Sequence, residues 1–341
     1  MSAFNLEKWS LDVATDQGDV LCAELTCFRL AGVGRTVVTG SLSTPDGREV
    51  YDSLATGPPK AGPAGRLAVR GYSLEPERGG FRVTLDLPRL GLDLHCVSSG
   101  EWRPNGNGVL LTRGARHFRW SAPRFRASVY GFLAFGSGKS IIRGTGYLEA
   151  MRTDIPPWRL RLSEIFRGKA YFPSSTLIFH QLTTGEGALL QNILVKRDFG
   201  PGLRQGSEAR ENPHRCGAGG EPPRLRWVDD YQFQLDEKGH PGRTVLHHPA
   251  FTLSLTEKRM LEGGAGPSPR GTRPVSPWKV LDRLYGPAER RKVLSEAVLA
   301  MSGDEERGLA IHERVVWRRG LNSRAESSPG TRRPSGLSRR P

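Results

Sequence analysis

Cysteine is scarce and scattered in this chain: Cys22, Cys27, Cys96 and Cys216 are the only four in 341 residues, with no C-x-x-C pair and no histidine at ligand spacing. That pattern argues against a zinc centre or a disulfide framework and for buried free thiols, so neither a metal nor another cofactor is expected. Long apolar runs are missing too. No segment approaches the ~20 apolar residues needed to span a bilayer as a helix, and MSAFNLEKWSLDVATDQGDV lacks a basic start followed by an apolar stretch and a cleavage site. A cytoplasmic location is the expectation, with membrane contact at most peripheral. Acidic residues are the minority charge, 35 Asp and Glu against 50 Lys and Arg, for a net +15. Such a balance attracts polyanions and anionic membrane surfaces. The basic residues are dispersed rather than gathered into a stripe, and recognition-helix and RNP-like aromatic patterns are absent, so no specific nucleic-acid partner is expected.

What the chain has instead is β-type alternation. VLCAELTCFRL (Val20 to Leu30), TVVTGSLST (Thr36 to Thr44), FRVTLDLP (Phe81 to Pro88), LDLHCVSSG (Leu92 to Gly100), RASVYGFLAF (Arg126 to Phe135) and STLIFHQLT (Ser175 to Thr183) show period-2 patterning rich in β-branched or aromatic residues. TPDGRE and PNGNG carry the Asp-Gly and Asn-Gly pairs that tight hairpins need. GFLAFGSGKS ends like a phosphate loop, but the glycine spacing is wrong and strand-like IIRG follows, so it reads as another hairpin. Apolar residues at 37%, with 42 Gly and 25 Pro, fit many short strands better than long helices. The predicted class is all-β.

At about 150 residues per domain, the length predicts two domains. The segment GPGLRQGSEARENPHRCGAGGEPP, Gly200 to Pro223, breaks the pattern with Gly, Pro and charge. It divides the chain into an N-terminal domain at 1–200, a linker at 201–222 and a C-terminal domain at 223–320. Residues 321–341, rich in Ser, Pro, Gly and Arg, read as a disordered basic tail suited to weak contact with a polyanion or a membrane surface. One helix is expected, from Pro287 to Met301, with Val293, Leu294, Ala297 and Val298 on one face.

The order FRVTLDLPRLGLDLHC, then HFRWSAPRFRASVYGFLAFGSGKSIIRGTGYLE, then Pro156-Pro157-Trp158, resembles the AttH-like superfamily. That superfamily contains carotenoid 1,2-hydratase (hydroxyneurosporene synthase) and is related in fold to tocopherol cyclases and lipocalin-like fungal Diels–Alderases. Phe118-Arg119-Trp120 and Gly144-Thr145-Gly146-Tyr147 resemble the entry to its central motif, and LAIHERVVW (Leu309 to Trp317) resembles its closing strand. The resemblance covers most of the chain. It implies two tandem lipocalin-like antiparallel β-barrels with a pocket for a hydrophobic small molecule, isoprenoid or lipid-like, between or within them. Where the family's hydratases resemble Gly-Tyr-His-Asp-His-Asn-Trp-Gly, this chain has Gly146 to Thr153, GYLEAMRT. Glu149 falls at the acid position of the cyclases' Tyr-x-Glu-Lys-Asn-Trp-Gly pattern, while Met151 and Arg152 stand where polar and aromatic partners would be.

Alkene hydration or chroman closure begins with protonation of a carbon–carbon double bond. The proton must come from a carboxylic acid that a dry pocket keeps protonated, with aromatic faces nearby to stabilise the cation. Glu149 is the candidate general acid, and Trp120, Tyr147 and Trp158 are candidate ligand contacts. His312 and Glu313 on the last strand complete the candidate ligand-binding set. As strand neighbours they face opposite sides, so one of the two can line a given cavity. The competing role for Glu149 is an ion pair with Arg143, Arg152 or Arg159, which would depress its pKa. Gly144, Gly146, Pro156 and Pro157 read as backbone devices. Three functions follow: binding of a hydrophobic molecule without turnover, an isoprenoid hydratase (a lyase) or cyclase working through Glu149, and an interaction protein using its basic tail.

Overall fold

The alternation becomes two antiparallel sheets in the computed structural model, which describes residues 4–61, 66–97, 108–160, 162–173, 175–184, 189–197, 226–228, 232–235, 242–248, 251–263, 288–301 and 304–317. The first sheet contains β1 (Phe4–Thr15), β2 (Val20–Leu30), β3 (Val33–Ser43), β4 (Glu49–Thr56), β5 (Lys60–Ala61), β6 (Leu67–Val69), β7 (Tyr72–Glu77), β8 (Gly80–Asp86), β9 (Leu90–Val97), β10 (Val109–Arg113), β11 (Arg116–Phe135) and β12 (Gly138–Thr153). Its order is β4-β3-β2-β1-β12-β11-β9-β8-β7-β6-β5, with β10 paired to β11. The late strand β12 thus returns beside the first, and twist curls the sheet. Asp52 on β4 accepts the Arg89 backbone N–H through Oδ2 at 2.6 Å, and the barrel is nearly closed.

The second sheet contains β13 (Leu162–Tyr171), β14 (Ser175–Thr184), β15 (Leu189–Arg197), β16 (Arg226–Val228), β17 (Gln232–Leu235), β18 (Arg243–His248), β19 (Phe251–Gly263), β20 (Ala288–Met301) and β21 (Asp304–Trp317). Its order, β16-β15-β14-β13-β21-β20-β19-β18-β17, makes a half-barrel. The two-barrel, all-β expectation therefore holds. Leu11, Val13, Leu21, Leu25, Val83, Leu85 and Leu94 fill the first barrel, and Phe166, Phe179, Leu246, Leu253, Leu255 and Ala310 form the core of the second. A Cβ on Gly168 would fall 2.3 Å from the Phe179 ring and 2.5 Å from the His312 Cβ, so this strand crossing requires glycine.

Two expectations are corrected. The segment expected as a helix, Pro287 to Met301, is strand β20 from Ala288, and the one helical turn among the described residues is α1 (Pro157–Leu160). β20 lies between β19 and β21, with Val293, Ala297 and Leu299 buried on one side and Lys292 and Leu294 buried on the other. Burial on both faces removes the contrast by which helical and strand periods are told apart. The second correction concerns the boundary. The sheets change between Thr153 and Leu162, whereas the Gly/Pro-rich segment falls between β15 and β16, both in the second sheet. Its composition marks a connection within a sheet, which Gly and Pro indicate as readily as a domain linker. Residues 201–222, PNGN at 104–107 and the tail at 321–341 lie outside the described residues. The GSGKS segment does turn a hairpin, β11 to β12, with Gly136 at φ 59°.

Candidate functional site

Register aligns the site before any side chain is considered. On the outer face of the first barrel, Cys22, Asp12 and Tyr147 form one cross-strand row and Glu24, Ser10 and Glu149 the next. On the facing side of the second sheet, His180, Arg167, Glu313 and Lys292 form a row across β14, β13, β21 and β20. These rows meet in the interface between the barrels. Five bases, Lys8, Arg167, Lys169, Arg290 and Lys292, stand there against four acids, Asp12, Glu24, Glu149 and Glu313. The near balance lets the acids stay ionised out of water.

Glu149 is 4% exposed and sits at the centre. Arg167 donates to its Oε1 at 2.5 Å, while Trp120 Nε1 and Tyr147 Oη donate to its Oε2 at 3.1 and 3.2 Å. Burial pushes the Glu149 carboxyl up, but the charges of Arg167 and then Lys169 more than offset it and hold it below the ordinary range. Arg167 also donates twice to Glu313 Oε2, at 2.6 and 2.8 Å, and Arg290 pairs with Oε1 of the same carboxylate. Glu313 lies well below its usual range despite burial, because Arg167 and Arg290 flank it. Asp12 is likewise depressed against burial by Lys169, which pairs with Oδ2, and by Lys292, which bonds Oδ1 at 2.8 Å. Lys292 also reaches Cys22 Sγ at 3.0 Å, and Lys169 Nζ lies 4.2 Å from the Tyr147 ring centroid. Burial, then Glu149, drives the Tyr147 hydroxyl well above its ordinary pKa, so it remains a donor.

His180 packs on Trp120 with ring centroids 4.5 Å apart, and its Nε2 has no hydrogen-bond partner among the described residues. Burial lowers its pKa to about 4. The cavity that it lines with Asp12, Tyr147, Glu149, Arg167 and Lys169 measures about 20 Å³. That is room for one water. Such a site can fix a polar group or a water, but its ionised carboxylate has no proton to give an alkene.

The expected residues are thus partly brought together. Trp120, Tyr147, Glu149 and Glu313 share the interface, Glu313 as an ion-pair partner. His312 points to the other face, bonded through Nε2 to Ser295 Oγ at 2.8 Å and set against the Phe166 ring at 5.6 Å, as strand alternation requires. Trp158 lies in α1, the turn between the sheets. The ion-pair role foreseen for Glu149 is realised with a different arginine, Arg167 of the second sheet, while Arg152 pairs with Glu7. Local spacing cannot reveal a partner that topology delivers. Asp12, Lys169, His180 and Lys292 were missed too. The available signal was the alternation of Lys8, Ser10 and Asp12 with Trp9 and Leu11, and of Arg167 and Lys169 with Phe166 and Ala170, which reads as a solvent face. Cys22, Cys27 and Cys96 are free thiols as expected, and Cys216 is outside the described residues.

No family model matches the chain, and no curated protein matches it in sequence. Solved structures do. One described as AttH from Nitrosomonas europaea superposes with a TM-score of 0.59 at 11% identity, covering 93% of both chains. CghA solved with Sch210972 gives 0.59 at 14% identity, over 93% of this chain and 90% of the other. Kievitone hydratase from Nectria haematococca gives 0.57 at 10% identity with the same coverage. At such identities the likeness is one of fold, and that fold is a pair of lipocalin-like β-barrels in tandem.

Proposed function

We propose that this protein binds a hydrophobic small molecule, isoprenoid or lipid-like, and does not turn it over by alkene protonation. Of the proteins that share its fold over nearly the whole chain, one was solved with Sch210972 and another is named a hydratase. Binding suits that fold. The observation that separates binding from catalysis is the state of Glu149, a carboxylate accepting from Arg167, Trp120 and Tyr147 where an acid-catalysed route needs a carboxylic acid.

The test combines native mass spectrometry with turnover assays on linear isoprenoids. Purified protein is expected to carry or take up an apolar ligand and to form no hydrated or cyclised product. Glu149→Gln keeps acceptance from Trp120 or Tyr147 but removes the charge opposite Arg167. It is expected to lower stability by about 1–3 kcal/mol, read by urea unfolding, with ligand uptake retained in the folded fraction. A wild-type protein that hydrates or cyclises an isoprenoid, with Glu149→Gln folded but inactive, overturns the reading.

A further inference from the structure

The water-sized cavity at Glu149 is far too small for the apolar ligand just proposed, whereas the outer wall of the first barrel carries a groove of about 750 Å³. Small-molecule sites run from roughly 300 to 1,000 Å³. Cross-strand rows on β9, β11 and β12 build its floor: Ser128 with Thr145, His95 with Tyr130 and Arg143, and Phe132 with Ile141, while Val97 and Asp93 end the first and third rows beside it. Its apolar members are well exposed, Tyr130 at 47%, Phe132 at 42% and Ile141 at 66%, and Val97 beside them is exposed at 47%. Four such neighbours on one face are an exposed cluster, unlike single surface apolar residues, which need no explanation.

The surface is also fixed in shape. A Cβ on Gly131, at φ 154°, would fall 2.0 Å from the Asp93 carbonyl oxygen, so β11 and β9 approach here as only glycine permits. His95 stacks on Tyr130 at 5.2 Å and 15°, held by Glu77 at 3.0 Å, and Lys139 Nζ sits 4.3 Å from the Phe132 centroid. The charges sort as clearly. Asp93 is neutralised by two 2.7 Å bonds from Arg82, whereas among the described residues the Arg143 side chain has no ion-pair or hydrogen-bond partner. Asp16 neighbours Arg143, its backbone N–H donating to the Arg143 carbonyl oxygen at 2.9 Å, but makes no ion pair with that side chain. Tyr130 and Phe132, two residues apart on one strand, give an apolar track about 7 Å long beside that unpaired guanidinium.

We infer that this groove is the ligand site, and that it takes an amphiphile with a flat apolar body and one anionic group. The body lies along Tyr130, Phe132 and Ile141 and the anion meets Arg143. This rests on the small-molecule-binding reading above and places its site on the outer wall of the first barrel, not between or within the barrels.

Two fluorescent probes with the same aromatic body test it: anilinonaphthalene sulfonate, which carries one anionic group, and uncharged phenylnaphthylamine. Wild-type protein is expected to bind both, the sulfonate more tightly. Phe132→Ser should weaken both by about tenfold, and Arg143→Gln should weaken the sulfonate alone by a similar factor. Val33→Ser, at an exposed position outside the groove, is the control and should change neither. All three positions are solvent-exposed, and an unchanged melting temperature checks that each variant is folded. Binding that survives Phe132→Ser and Arg143→Gln but falls with Arg167→Gln would return the ligand to the interface, overturning the groove and sparing the wider reading. A dimer on gel filtration that Ile141→Ser dissolves would assign the face to a second copy and also overturn it. Failure of the wild type to bind either probe overturns the groove. If native mass spectra then show no bound ligand, the wider reading falls as well.

Discussion

The two faces of the β1–β12 pair are buried to the same degree and filled with opposite chemistry. Inward, Leu11, Val13 and Leu148 join the apolar interior of the first barrel, while outward Asp12 and Glu149 join the ions between the barrels, all at 4% exposure or less. Burial alone therefore does not decide polarity; the facing element does. An apolar face gains by leaving water and fails only by degrees, through cavities. A charged face costs free energy to dry and persists only while every charge keeps its partner. The ionic side should accordingly be the more fragile to single changes. Arg167→Leu removes the arginine paired with Glu149 and one of the two paired with Glu313, and is expected to destabilise by about 3–5 kcal/mol. Urea unfolding measures it, and a loss under 1 kcal/mol would show that water reaches the interface.

The matching change on the apolar side is Leu94→Ala, at a fully buried position in the first barrel. Its expected cost is about 3 kcal/mol, from lost transfer energy and the cavity left behind. The sharper contrast lies in salt and pH, to which this variant should respond as the wild type does, since it removes no charge.

The same asymmetry explains what the sequence makes legible. Strands such as Gly80–Asp86 coincide with their alternating segments because one face, Phe81, Val83 and Leu85, is apolar and buried while Arg82, Thr84 and Asp86 on the other are polar, and the GSGKS hairpin follows from its glycines. The interface was illegible for the same reason: Lys8, Ser10 and Asp12 give a polar period-2 face whether water or Arg167 and Lys169 lie opposite. β20 failed differently, since both faces are buried and no periodic contrast remains. Trp120, Tyr147 and Glu149 were found because they lie near one another along the motif, and their partners were not because those come from beyond residue 160.

Acid sharpens the comparison next. His180, with its pKa lowered to about 4, and His312, lowered to about 3 by burial, stay neutral in the native state while the unfolded chain takes up protons below its ordinary value near 6.5. Stability present above pH ~6.5 therefore declines as pH falls, by up to about 1.4 kcal/mol per pH unit for each histidine. Below pH ~4.5, Asp12, Glu149 and Glu313 add to the loss, because their native pKa values are depressed and the unfolded chain again binds the protons first. Melting temperature followed from pH 7 to pH 4 should fall steadily. A flat profile would mean that neither histidine is held neutral.

The smallest expected effect separates one of the three arginines that motif spacing suggested for Glu149 from the one that topology supplied. Arg152 lies three residues from Glu149, but its side chain is 60% exposed and pairs at 2.5 Å with Glu7, whose side chain is 23% exposed. Water screens such a pair, and holding two long side chains in register costs entropy, so Arg152→Gln should shift stability by no more than about 0.5 kcal/mol. Added salt should shrink even that difference. Arg167→Gln makes the same chemical change at a side chain 9% exposed, which bridges two buried carboxylates, Glu149 and Glu313. There the loss should be several-fold larger and nearly independent of salt. Paired urea titrations of the two variants at low and high salt read the difference directly. Equal losses would show that the ionic interface is as wet as the surface and that the two faces of β12 do not differ as their packing requires.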